Sequence, residues 1–362
     1  MKRLWLCSIA RLAGISRVNQ VLAALLIVQA VVLAIVLWPR STRMSTSVAG
    51  TAGELLLPGL QADQVMQVRM YPSATIGDDQ QASIELLQRE GKWVIPAAGD
   101  YPCKEGAVPD FLAKLVALKR DRLVTQTADS HKRLKVADQD FVRVIELRLA
   151  DNTVRRLYLG TSASSTAVHI RIAEQDQVYL APGLSTGDIG AQAASWVDTL
   201  YSSIPQDQMV SVTLQNANGR LALNKGEDGT WTLADLATGE TLNQSAVTSW
   251  ISRVASVRMV APLGTEAQAS YGLDSLNAVV QIEADEYIRT KGQDGATKTY
   301  TLQVGAQDEQ DKTYVFKSSE SPYYIRVGEY TVADWVGKKR ADFLQLPPTP
   351  TPATTPTPEA GS

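Results

Sequence analysis

From residue 63 onward the chain writes its apolar positions twice. VMQV after Asp63-Gln64 is answered by MVSV after Asp207-Gln208, and each predicts a first strand. SIELLQREGKW and RLALNKGEDGTW follow, each predicting a second strand that leads into a Gly-x-Trp. Phe111, Leu112, Leu115 and Leu118 then fall at i, i+1, i+4 and i+7, one face of a helix. Trp250, Ile251, Val254 and Val257 repeat that face 139 residues later. Lys119 and Arg258 stand at equivalent C-terminal places, where a cation suits the helix dipole. VIELRLA and VRRLYLG, joined at Asp151-Asn152, predict a hairpin, and AVHIRIA and QVYLAP predict another around Gln175-Asp176. His169 and Arg171 alternate with Val168, Ile170 and Ile172, so one face of that strand is expected to be wet. AVVQIEA, YTLQVG, TYVFKSS and YYIRVG follow in the same order. Each copy is expected to close on a Trp-Val helix, at Trp196 and at Trp335.

The pattern predicts an α+β fold: two tandem similar domains of antiparallel strands, each with a packed helix, over 63–205 and 206–346. Trp93 and Trp231 are read as core residues packed near Phe111 and Trp250, rather than as stacking platforms. If buried, each is worth about 3–5 kcal/mol against Ala.

The ends read differently. Val21 to Trp38 is an 18-residue run with one polar interruption, Gln29. At about 1.5 Å per residue it is long enough to cross a bilayer core. Four basic residues precede it and two follow, which predicts a cytoplasmic N-terminus. Pro39, Arg40 and Arg43 follow where a cleavable signal would need small residues, so the run is read as an uncleaved single-pass anchor. The organisation expected is a basic segment 1–17, a transmembrane helix 18–39, a linker 40–62, and a disordered Pro/Thr-rich tail 347–362 behind the repeats. Net charge is −3, yet residues 1–43 carry six basic side chains and no acid. The remainder is therefore acidic and offers no footprint for nucleic acid. Cys7 and Cys103 flank the apolar run and are not expected to pair.

Together, the Gly-x-Trp strand, the helix face Phe111-Leu112-x-x-Leu115, close to the family's Leu-Leu-x-x-Leu, and the segment Tyr271-Gly272-Leu273-Asp274 resemble the DUF4340 family, a domain of unknown function. In the first copy Lys132-Arg133-Leu134-Lys135 stands at the place of that segment, keeping only Leu134. The resemblance covers roughly 65–346 and implies a membrane-helix protein encoded beside gliding-motility-type ABC transport components. It brings no catalytic residues.

A search for chemistry leaves the site list empty: no catalytic, cofactor-binding or metal residue, and no cofactor. His131 and His169 fit no ligand spacing, and neither a nucleophile elbow nor a phosphate loop occurs. Asp78-Asp79, Glu283-Ala284-Asp285-Glu286 and Asp308-Glu309-Gln310-Asp311 lack calcium-loop spacing and read as solvated carboxylates. Cys103, beside Pro102, reads as an unactivated loop thiol, and Asp274 as a turn residue. The function expected is a membrane-anchored extracytoplasmic accessory or scaffold protein. Its expected partners are the cell membrane and an ABC transporter or envelope complex. The alternative is a ligand- or glycan-binding module using the cleft between repeats; a hydrolase fits the residue inventory least.

Overall fold

A computed structural model describes residue 29 and residues 53–72, 83–120, 122–185, 187–288 and 293–345. The basic segment 1–17 with Cys7, the run Val21–Trp38 apart from Gln29, Asp78-Asp79 and the tail from Pro347 lie outside the described residues. Among the described residues no helix is long and apolar enough to cross a membrane.

The first half contributes β1 (Val65–Tyr71), β2 (Ile84–Arg89), β3 (Lys92–Ile95), β4 (Tyr101–Pro102), β5 (Leu123–Thr125), β6 (Val136–Ala137), β7 (Asp140–Phe141), β8 (Arg143–Leu149), β9 (Val154–Ser164), β10 (Ala167–Ile172) and β11 (Val178–Pro182). Nine of them form one sheet in the order β4-β3-β2-β1-β8-β9-β10-β11-β5. The second half contributes β12 (Leu200–Ser203), β13 (Met209–Asn216), β14 (Gly219–Lys225), β15 (Trp231–Leu233), β16 (Ser256–Arg258), β17 (Ala261–Gly264), β18 (Ala278–Ile288), β19 (Gln293–Gln307), β20 (Tyr314–Ser318) and β21 (Tyr324–Val327). Its eight-stranded sheet runs β15-β14-β13-β18-β19-β20-β21-β17. Leaving aside the two-residue β4, the two orders coincide strand for strand, and the pairings are antiparallel. With four α-helices among the described residues, the fold is α+β in character.

Helix α1 (Ala107–Val116) and helix α3 (Gln244–Val254) bury the expected faces. Phe111, Leu112 and Leu115 are buried in one; Trp250, Ile251 and Val254 in the other. Asn243 caps α3 by accepting from Ala246 N at 3.1 Å, which stops an exposed backbone donor going unpaired at the helix start. Leu118 and Val257, the last positions of the predicted faces, lie beyond the helices, Val257 in β16. Lys119 and Arg258 therefore do not sit on a helix end. Each instead pairs with an incoming chain: Leu55 with Lys119, and Leu200 with Arg258. Every copy thus opens with a short clamp against the stretch after its helix. The body begins before the boundary drawn at 63, because Leu56 and Leu57, read as linker, are buried in the core.

Three further expectations change. Trp93 and Trp231 do not end the second strand; they lie in a third, which returns beside it. The first turn between them, Glu90-Gly91, has both φ angles positive (49° and 77°), the geometry of a tight hairpin. The segment around Trp196 is no helix but a single 3-10 turn (Ala193–Ser195) followed by β12, and only the second copy closes on a helix, α4 (Glu329–Val336). Asp198 accepts from Leu200 N at 2.9 Å, turning the chain into the strand where a helix would have continued. Finally, the wet face of β10 is covered. Helix α2 (His131–Leu134) and the β6–β7 hairpin fold back over it, and Arg171 is only 4% exposed. Its Nε donates to Val136 O at 2.7 Å and its guanidinium lies 4.3 Å from the Tyr158 ring centroid. A small second core of Leu134, Val136, Phe141, Val144, Tyr158 and Val178 forms there.

The backbone also corrects the alignment of the Tyr-Gly-Leu-Asp segment. A Cβ on Gly160 in β9 would lie 1.9 Å from Leu134 O, and one on Gly305 in β19 would lie 2.2 Å from Tyr271 O. Leu134 is thus the counterpart of Tyr271, and Lys135 of Gly272, both left-handed, with φ of 56° and 63°. Asp274 is exposed, and the turn is closed by Ser275 N donating to Gly272 O.

The main buried cluster runs without a break through both sheets, from Leu56 to Phe343. At its far end Arg340 fastens the segment after β15: its Nη1 donates to Glu240 Oε1 at 2.7 Å. That bond, with Ala237 N, lowers the Glu240 carboxyl from its ordinary 4.5 to about 2. A depressed acid stabilises the fold above its unfolded pKa and stops doing so as pH falls through the folded one. Stability is therefore expected to fall between about pH 4.5 and 2. In Arg340→Ala, urea midpoints across that window should fall less steeply.

Candidate functional site

The two sheets meet where the turn after β3 approaches the outer strand of the second sheet. Pro96–Ala98 forms a 3-10 turn that ends in Gly99 with φ 65°. A Cβ there would stand 3.1 Å from Thr265 N and 3.2 Å from Gly264 Cα, so glycine serves both the backbone angle and the close approach. Beside it, Tyr101 and Tyr323 meet edge to face at 4.6 Å, and Tyr323 Oη donates to Asp100 O at 3.3 Å. Tyr201 Oη donates to Tyr323 O at 2.7 Å. Burial, with Tyr201 and Tyr323 close by, pushes the Tyr101 phenol up to about 12.

This junction opens into a cleft of about 1060 Å³. One wall is Ile84, Ile95 and Ala98; the opposite wall is Val260, Ala261 and Pro262 of the second half. The floor is the glycine-rich loop from Gly187 to Ser195. Trp196 fixes that loop: its indole N–H donates to Gly190 O at 2.7 Å while its ring packs on Phe111 at 5.3 Å. A Cβ on Gly190 would fall 2.0 Å from Ser195 Oγ, so the floor cannot accept a side chain there. The recurring tryptophan that the sequence offers as a closing helix residue therefore shapes the cleft.

Two charged side chains line it, Glu85 and Arg143. Glu85 is neutralised by Arg69 Nη2 at 2.8 Å. Arg143 donates through Nη1 to Val142 O at 2.9 Å, but its buried Nε finds no acceptor among the described residues. A buried donor without a partner costs about 1–3 kcal/mol, so Arg143 holds an unmet hydrogen-bonding demand beside the cleft. No sequence signal marked Arg143 out, because a lone arginine opening a strand has no motif.

The residues weighed in the sequence do not converge. His131 Nε2 donates to Asp176 O at 2.9 Å, and His169 Nδ1 donates to Thr161 O at 2.8 Å, in separate places on the first sheet. Glu283 accepts from Ser211 Oγ on the neighbouring strand, and Asp285 from Thr297 Oγ1. Asp308 and Asp311 hold a turn, accepting from Gln310 N and Thr313 N, each at 2.9 Å. Among the described residues no group of three or more His, Cys, Asp or Glu could hold a metal ion.

Cys103 is half-buried against the core rather than exposed, and burial pushes its thiol from the ordinary 9 up to about 12. The thiolate is the reactive form, so little of it is present near neutral pH. In a Cys7→Ser variant, thiol-disulfide exchange with a small aromatic disulfide should be at least about tenfold slower folded than urea-unfolded. Equal rates would mean that the side chain is open to solvent.

The model of one family, Domain of unknown function (DUF4340), matches residues 93–241. The match starts at Trp93 in β3 and stops shortly after Trp231 in β15, so it spans about one repeat and crosses from the first sheet into the second. No curated protein and no solved structure matches the chain.

Proposed function

We propose that the chain is a membrane-anchored, extracytoplasmic accessory protein made of two tandem copies of a DUF4340-like unit, and that it works by contact within a transport or envelope complex. The observation that carries this reading is the junction cleft. A duplicated unit needs no large opening between its copies, yet this one keeps a cavity of about 1060 Å³ with aliphatic side chains on both walls. Openings of that size bind segments of partners or sizeable ligands. The anchor comes from the apolar run Val21–Trp38 and the excess of basic residues ahead of it. Tethering would raise the effective concentration of the cleft at the membrane surface.

Arg143 favours a second reading, a module that binds an anionic ligand. A guanidinium without an ion-pair partner among the described residues, beside aliphatic walls, suits a carboxylate on an apolar body.

One experiment separates the two. Full-length chain and an Ala261→Arg variant, which narrows the cleft, are purified from membranes in mild detergent and weighed by native mass spectrometry. A stoichiometric membrane protein on the wild type, lost in the variant, supports the accessory reading. A small ligand lost in the variant and in Arg143→Gln supports the second. A partner that both forms retain equally removes the cleft from the proposal.

A further inference from the structure

We infer that the free edge of the first sheet, β5 with the basic stretch before it, is a contact surface for an anionic lipid bilayer. The inference rests on the anchored reading for its geometry and on the following chemistry for its partner.

Strands β5 and β17 occupy the same end position in the two sheet orders. Their fates differ. The edge at β17 is roofed by the first half, with Ala261 and Pro262 across the cleft from Ala97 and Ala98, and Gly264 beside Gly99. Nothing among the described residues roofs β5 in that way, and Leu123 and Val124 are each 42% exposed. Their chemistry differs too. From Arg258 the covered stretch reads Arg-Met-Val-Ala-Pro-Leu, with one charge; from the equivalent Lys119 the open stretch reads Lys-Arg-Asp-Arg-Leu-Val, with three cations and one acid. Lys119 and Arg122 are exposed, line one depression of about 400 Å³ with Leu118 and Leu180, and have no ion-pair partner among the described residues. Lys114 borders the same depression but is held by Asp188 at 2.6 Å.

Cations around protruding aliphatic side chains are what an anionic headgroup layer accepts: the stems and apolar groups enter the interface while the charges meet phosphates. The same cations oppose the addition of a strand from a second copy, since unpaired charge along an edge repels edge-to-edge pairing.

Position agrees with the chemistry. The chain enters the folded body at this patch: Arg120 N donates to Glu54 O at 2.9 Å, Leu56 N to Leu118 O at 2.7 Å, and Leu55, paired with Lys119, is itself 42% exposed. Fourteen residues lie between Trp38, the last of the apolar run, and Gly53. Fully extended, that stretch reaches about 50 Å, which bounds how far an anchored chain can carry this patch from the bilayer.

The test uses the full chain in nanodiscs of phosphatidylcholine alone and in nanodiscs that also contain phosphatidylglycerol, read by amide hydrogen exchange. Peptides covering 119–125 should exchange about tenfold more slowly in the anionic discs, and the protection should vanish in high salt. Lys119→Glu/Arg122→Glu should abolish it while leaving exchange in β13 and β18 unchanged, which certifies the fold. Equal exchange in both discs overturns the inference and leaves the anchor standing. Protection that instead grows with protein concentration in detergent indicates a second copy on the edge and also overturns it. A chain that enters neither disc refutes the anchor, and flotation then decides for the edge. Binding to phosphatidylglycerol vesicles but not phosphatidylcholine vesicles upholds the inference; binding to neither overturns it.

Discussion

Gly160→Ala is expected to lose about 3 kcal/mol of stability or more. The added carbon would lie 1.9 Å from Leu134 O, 2.7 Å from Val136 Cγ1 and 3.0 Å from Lys135 O. Two of those atoms are backbone and cannot rotate away. The segment that covers Arg171 would have to lift from the sheet, taking Val136 and the second core with it. Gly229→Ala is the matched control: its φ is +80° and nothing lies within 4 Å of the new carbon. It should cost only the backbone strain, about 1–2 kcal/mol. Urea midpoints of the two variants check the difference. Coincident midpoints would mean that the covering segment does not approach β9 as closely as described.

Trp335→Ala is expected to cost about 3–5 kcal/mol, since the side chain is wholly buried. Its ring stands edge to face against Phe316 at 5.6 Å, and Phe316 meets Tyr201 at 6.0 Å. Through Tyr323 that chain of contacts reaches Tyr101 of the first sheet. Because the core is continuous, the loss should appear in both halves: exchange protection in β1 and in β18 should fall by the same free energy. A fall confined to β18 would mean that the two repeats unfold separately.

The sequence carried the repetition further than it carried the details. The recurring strands and the helix faces were legible because alternation and i, i+4 spacing report burial directly, as Phe111, Leu115, Trp250 and Val254 bear out. Three kinds of feature were not. The Trp196 segment reads as a helix because its apolar spacing permits one, yet Asp198 capping Leu200 N selects a strand. Arg171 reads as solvent-facing because its neighbours alternate, and nothing local announces that residues 131–141 will fold over it. Leu134 aligns with Leu273 by letter, whereas carbonyl-to-glycine contact aligns it with Tyr271. The cleft was legible only as a place between repeats. Arg143 carries no motif, and an Nε without an acceptor among the described residues exists only in three dimensions.

The clamps that open and close the body have a mechanical meaning. At one end the chain is held by Leu56 N to Leu118 O at 2.7 Å and Arg120 N to Glu54 O at 2.9 Å; at the other by Asn243 N to Phe343 O and Gln345 N to Thr241 O, both at 2.8 Å. A load drawn through the two ends meets these two-bond stitches before it reaches the ladders of the sheets. Each stitch would part first, paying out a short length of slack and uncovering Leu56 or Phe343, while the cleft and both sheets stay folded behind it.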